Sequence, residues 1–122
     1  MYAINSTVQV VVNFNDALNA GDVNKMMQFM TEDCIFENTY PAPDGARYEG
    51  QPAVRAFWEE FFRSAREPRI EIEEIVGLGK RCAMRWTYRW KDEHGQPGHI
   101  RGVDLYKVSG GLIAEKLSYV KG

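Results

Sequence analysis

The sequence is short of cysteine, histidine and surplus charge, and each shortage removes a class of function. It has two cysteines, Cys34 and Cys82. Their separation fits neither a zinc site nor a Cys-x-x-Cys redox pair, and each lies in an apolar stretch that reads as a strand. This is the pattern of reduced core thiols, and it sets the expectation of a cytoplasmic location. The two histidines, His94 and His99, fall in a turn and at an outward strand position. No third ligand joins them, so no metal site is expected. Lysine and arginine total 15 against 17 acidic residues, a net charge of −2. A non-specific nucleic-acid binder needs a basic surplus, so that partner is excluded. No apolar run approaches the ~20 residues of a membrane-spanning helix. The N-terminal Met1-Tyr2-Ala3-Ile4-Asn5 carries neither a basic flank nor a long apolar stretch, so no secretory leader is expected.

What is present suits one domain spanning residues 1–122. Hydrophobic residues make up 44% and charged residues 26% of the 122. A chain of this size buries roughly two thirds of its unfolded surface, enough for a core without a metal or disulfide.

The first half reads as helices and the second as strands, which is an α+β arrangement. Ser6-Thr7-Val8-Gln9 opens a helix whose stripe is Val8, Val11, Val12 and Leu18. Gly21 ends it and Asp22 caps the next, which carries Val23, Met26, Met27 and Met30. The three methionines, at helical spacing, read as core. A strand follows over 33–39, then a loop over 38–50 rich in turn formers and long enough to act as a lid. Pro52 sits in the first turn of a third helix with Val54, Phe57, Trp58, Phe61 and Phe62 on one face. Four strands complete the chain, over 69–78, 80–92, 99–108 and 112–120. Short turns between them predict an antiparallel meander.

Strand alternation assigns faces. Met84, Trp86, Tyr88 and Trp90 share one side of the long aromatic strand, and Arg81, Ala83, Arg85, Thr87 and Arg89 share the other. On the next strand Ile100, Gly102, Asp104 and Tyr106 lie together. On the outer side, Glu71 and Glu73 stand opposite Arg85 and Arg89. Val103, Leu105, Leu117 and Tyr119 are outward apolar positions, although the Gly110-Gly111 turn leaves the last strand open to a one-residue slip. An apolar patch rimmed by charge pairs reads as a homodimer interface on the outer sheet face.

Several local motifs occur in a telling order. Ala17-Leu18-Asn19-Ala20-Gly21-Asp22 closes the first helix. Tyr48-Glu49-Gly50-Gln51-Pro52-Ala53-Val54 precedes the aromatic helix. Gly102-Val103-Asp104-Leu105-Tyr106-Lys107-Val108 leads into Leu112-Ile113-Ala114-Glu115. Together these resemble the SnoaL-like branch of the nuclear-transport-factor-2-like superfamily, over essentially the whole chain. The resemblance implies a cone-shaped α+β barrel, with three N-terminal helices packed on a strongly curved, mostly antiparallel sheet around a deep apolar pocket. It also implies frequent dimerisation. It implies no single reaction, since the superfamily spans ketosteroid isomerases, polyketide cyclases, epoxide hydrolases, dehydratases and non-catalytic binders.

The resemblance puts the Asp104 face inside. A carboxyl among Trp86, Tyr88 and Tyr106 loses hydration and is driven toward its neutral form. There the resemblance implies a role as acid or oxyanion donor, the part a protonated aspartate plays in ketosteroid isomerases. The opposing expectation is an ionised Asp104 paired with a cation. The remaining isomerase positions depart from the pattern. The isomerase tyrosine falls on Phe14 and the base on Asn38, and neither residue type can do the work. Glu37 is adjacent to Asn38 but faces away unless the strand bulges.

The expectation is therefore an isomerase, cyclase or dehydratase acting without a cofactor on a hydrophobic cyclic carbonyl compound. Asp104 is its acid, Asn38 a polar anchor and Tyr88 an auxiliary donor. Phe14, Trp58, Phe62, Met84, Trp86 and Tyr106 are the expected ligand contacts. The alternative, favoured by the missing base, is a non-catalytic binding or dimerisation module.

Overall fold

The computed structural model describes residues 6–122. The segment 1–5, read above for a leader, lies outside the described residues. Helix α1 (Ser6–Asn19) buries Val10, Val11, Phe14, Ala17 and Leu18 along one stripe. Gly21 then adopts a φ of 69°, a left-handed turn that favours glycine. Asp22 caps α2 (Val23–Gln28) by accepting from the Lys25 backbone N–H at 3.0 Å. Helix α2 stops short of the apolar pattern that suggested it. The Phe29 N–H closes back on Met26, and Met30 already begins β1 (Met30–Glu37), paired with Ile113. Met26, Met27 and Met30 are all buried core.

The loop after β1 contains a short strand not expected from its turn-rich composition, β2 (Arg47–Glu49). It pairs antiparallel with β1, and Arg47 bonds Glu37 at 2.7 Å. That pair holds Glu37 on the far side of β1, as simple alternation requires. Helix α3 (Gln51–Ser64) carries Pro52 in its first turn. The Gln51 amide donates to the carbonyls of Met27 and Met30, both at 3.0 Å, tying the helix start to the α2–β1 junction.

Strands β3 (Arg66–Leu78), β4 (Arg81–Lys91), β5 (Pro97–Ser109) and β6 (Leu112–Val120) form the expected antiparallel meander. Strand β1 joins β6 in parallel, giving a mixed sheet in the order β2-β1-β6-β5-β4-β3. Strand β3 starts three residues earlier than read, running through Pro68, which an edge strand tolerates. Its pairing with β4 slips twice, between Arg66 and Arg69 and between Ile72 and Glu74. Helix α1 is clamped to β3 by Asn19, whose side chain accepts from the Ile70 N–H at 2.8 Å and donates to its carbonyl at 2.9 Å. The three helices thus cover one face of a curved, open sheet, and the core lies between them.

Candidate functional site

A cavity of about 230 Å³ opens between α3, the end of β1 and the inner face of β4–β6. Its walls include Phe36, Phe57, Trp58, Phe61, Ile70, Trp86, Tyr88 and Ile100. Thr39 and the exposed Tyr40 bring the loop after β1 to its rim. Its polar groups are Asn38, Asp104, Lys116 and Ser118.

Asp104 and Lys116 organise the polar end. Both are sealed from solvent, at 1% and 4% exposure. The Lys116 Nζ lies 2.8 Å from Asp104 Oδ2. Tyr106 donates its hydroxyl to the same oxygen at 3.1 Å, and the Trp86 indole N–H donates to Oδ1 at 2.9 Å. Three donors therefore converge on one carboxylate. Burial, with the adjacent Asp104 charge and hydrogen bond, pushes the Tyr106 phenol well above its ordinary pKa, so it remains a donor. Lys116 also donates to Ser118 Oγ at 3.1 Å and sits 4.8 Å from the centre of the Phe36 ring. An ammonium at that range over a ring gains cation–π attraction. It has three N–H groups, and Asp104 and Ser118 take two of them.

Glycine makes the Trp86 contact possible. Trp86 pairs with Gly102 across β4 and β5, and its indole occupies the space a side chain there would need. A Cβ on Gly102 would come 2.6 Å from the Trp86 ring and 2.2 Å from the Tyr119 carbonyl oxygen. Only a residue with no side chain lets the indole reach Asp104, two residues further along β5 on the same face.

Of the expected site residues, Asp104, Asn38, Tyr88, Trp58 and Trp86 line the cavity. Burial raises the Tyr88 phenol, leaving it a protonated donor near neutrality. Four expected ligand contacts do not line it. Phe14 and Met84 are each 1% exposed and fill the core beneath the cavity. Tyr106 is equally buried and meets the site only through its hydrogen bond to Asp104. Phe62 faces a surface depression beside Val23 and Arg55. Alternation told which side of the sheet a residue occupies but not its depth along the strand, and Phe62 sits about a quarter-turn round α3 from the centre of the Phe57, Trp58 and Phe61 face. The expected proton donor Asp104 has both oxygens occupied as acceptors.

Sequence reasoning missed Lys116, Ser118 and Phe36. The signal for the first two was there: if Leu117 and Tyr119 point outward, then Lys116 and Ser118 point inward. The register makes the juxtaposition explicit, with Asp104 opposite Ser118 and Tyr106 opposite Lys116.

On the outer face, Glu73 accepts from Arg101 at 2.7 Å and from the Thr87 hydroxyl at 2.8 Å. These bonds pull its carboxyl down to about 2. Glu71 pairs with Arg89 as expected. Leu105 and Tyr119 remain substantially exposed there.

Three helices on a curved mixed sheet, with a cavity entered beside the third helix, define a protein of the nuclear-transport-factor-2-like class. Within it, the sequence model of the SnoaL-like domain matches residues 11–116. The chain belongs to the SnoaL-like family. A nuclear-transport-factor-2-like protein of unknown function from Mesorhizobium loti is 35% identical, with a TM-score of 0.80 over 96% of this chain and 92% of that one. A candidate SnoaL-like polyketide cyclase from Shewanella putrefaciens is 20% identical, with a TM-score of 0.81 over 97% and 91%. A Mycobacterium tuberculosis protein crystallised with estradiol-17β-hemisuccinate is 21% identical, with a TM-score of 0.79 over 93% and 92%. The last two share the fold alone. No curated protein is similar to the chain in sequence.

Proposed function

We propose that the chain binds a small apolar ring compound in this cavity, with a carbonyl or phenolic oxygen of the ligand accepting from Lys116. The observation that carries the reading is the buried Lys116 ammonium at the cavity's polar end, with one N–H beyond those given to Asp104 and Ser118. Asp104 then serves as the counter-ion that holds Lys116 in place, and the electrophilic role expected of Asp104 passes to the ammonium. The cavity is below the ~300 Å³ at which ligand pockets usually begin. That size favours one or two rings over a four-ring steroid. The walls supply shape and the polar end supplies orientation.

Binding is favoured over isomerase turnover, because Asn38 is no base and the Asp104 carboxylate is already engaged by three donors. The same ammonium would stabilise an enolate if a base were supplied. Tyr88 and Asn38 are the auxiliary polar contacts, and no cofactor enters the reading. A homodimer through Leu105 and Tyr119 on the outer face, and a reducing cytoplasmic setting for the two buried thiols, complete it.

Calorimetry with 3-isopropylacetophenone and its oxygen-free analogue 1,3-diisopropylbenzene tests the reading. The ketone is expected to bind at least tenfold more tightly. Equal affinity for the hydrocarbon would mean that Lys116 contributes nothing, and no binding of either would remove the ligand altogether.

A further inference from the structure

Among the described residues, two buried side-chain polar atoms have no hydrogen-bond partner, Thr31 Oγ1 and Trp58 Nε1. Thr31 does not line the cavity, whereas Trp58 does. Trp58 is 3% exposed, yet its neighbours are rings: Phe36 at 5.2 Å, Phe57 at 4.9 Å and Phe61 at 5.3 Å between centroids. None of them accepts a conventional hydrogen bond. Trp86, the other tryptophan in the wall, has its N–H satisfied by Asp104. The two indoles therefore differ in kind: one braces the site and the other has an unspent donor.

An indole N–H is a donor only, and buried donors are seldom left without an acceptor. A cavity wall is one of the few places where the missing acceptor can come from outside the protein. Lys116 presents a second unspent donor nearby, its Nζ being 5.7 Å from the centre of the Trp58 ring. Both side chains line the same small cavity, whose walls are otherwise largely aromatic and aliphatic.

We infer that the ligand carries two acceptor oxygens on one small ring system, one taken by Lys116 and the other by Trp58 Nε1, so that Trp58 selects a dioxygenated ring compound over a mono-oxygenated one of the same shape. This rests on the binding reading above and narrows its ligand class. Trp58 acts through the N–H, beyond the packing any aromatic residue would give.

Two probes of matched shape separate these contributions: 1,3-diacetylbenzene, with two carbonyls, and 3-isopropylacetophenone, with one. The wild-type protein should bind the diketone about five- to tenfold more tightly, the worth of one satisfied hydrogen bond in a desolvated site. Trp58→Phe keeps the ring and removes the donor. It should erase that preference, bringing the affinity for the diketone down to that for the monoketone, whatever the smaller ring costs the two ligands alike. In the wild-type protein, the assigned Trp58 indole N–H resonance should shift downfield with the diketone and not with the monoketone. This second measurement stands if the variant fails to fold. Equal loss of both ligands in Trp58→Phe, no preference in the wild type, or an unmoved indole resonance would overturn the inference while leaving the binding reading intact. Failure of both probes to bind would overturn the reading beneath it.

Discussion

Replacing Lys116 by methionine tests the centre of the site and the energetics of the fold at once. Methionine keeps the length and apolar stem but removes the charge. Asp104 then stays at 1% exposure with Trp86 and Tyr106 as donors and no cation. Stripping one partner from a buried pair costs about 3–5 kcal/mol, because the remaining charge is left uncompensated. For a domain of this size, at roughly 4 °C per kcal/mol, the melting temperature should fall by about 12–20 °C. The second half of the test is restoration. Asp104→Leu made in the Lys116→Met background removes the orphaned charge, and apolar replacement of a whole buried pair is often neutral or stabilising. The double variant should therefore recover most of the loss, and the two effects should couple by more than about 2 kcal/mol in a double-mutant cycle. Urea unfolding followed by tryptophan fluorescence and far-ultraviolet circular dichroism measures all four proteins. A Lys116→Met penalty under about 1 kcal/mol, the size found for exposed pairs, would refute the argument. So would additivity within about 0.5 kcal/mol. The recovered double variant also gives a folded protein that should bind 3-isopropylacetophenone at least tenfold more weakly.

Three further outcomes are expected. The native chain should show negligible proton transfer on an unsaturated ketone, and Asn38→Asp should raise the rate by about 10²–10⁴, the usual worth of a general base; high activity in the native chain would mean that an existing group already serves as base. Gly102→Ala should cost about 1–3 kcal/mol through overpacking, with the Trp86 fluorescence altered, because the added carbon meets both an indole and a backbone oxygen; an unchanged melting temperature would show that the indole moves freely. For pH, the depressed Glu73 carboxyl should contribute stability that is fully present above its unfolded value of ~4.3 and lost as pH falls toward about 2; Glu73→Gln should flatten the acid limb of a stability–pH profile over that window, and an unchanged limb would show the Arg101 bond to be energetically silent.

Much of the fold was legible because period and punctuation agreed. Gly21 and Asp22 marked one helix boundary, Pro52 another, and the alternation of Met84, Trp86 and Tyr88 against Arg85 and Arg89 fixed the inner face of β4. The parallel pairing of β1 with β6 was not legible, since no local signal specifies a partner so distant in sequence. Within the site, Asp104 stood out as a carboxylate in an aromatic strand. Lys116 did not, because Glu115-Lys116 reads as an ordinary solvent-facing pair until the register of β6 is known. The role expected of Asp104 depended on that missing neighbour, since Lys116 with Tyr106 and Trp86 takes up both of its oxygens.

The irregular pairing of β3 bears on how the molecule avoids its own copies. A thirteen-residue strand at the open margin of a sheet is a template for a foreign strand. Here that margin is interrupted by Pro68, which offers no N–H. The register slips at Arg66–Arg69 and Ile72–Glu74 break the straight row of hydrogen-bonding groups a second strand would need. Glu71, Glu74 and Arg69 add exposed charge along the same margin. Sheet-to-sheet continuation from copy to copy is thereby discouraged, which guards the longest free strand of the molecule against growth into fibres.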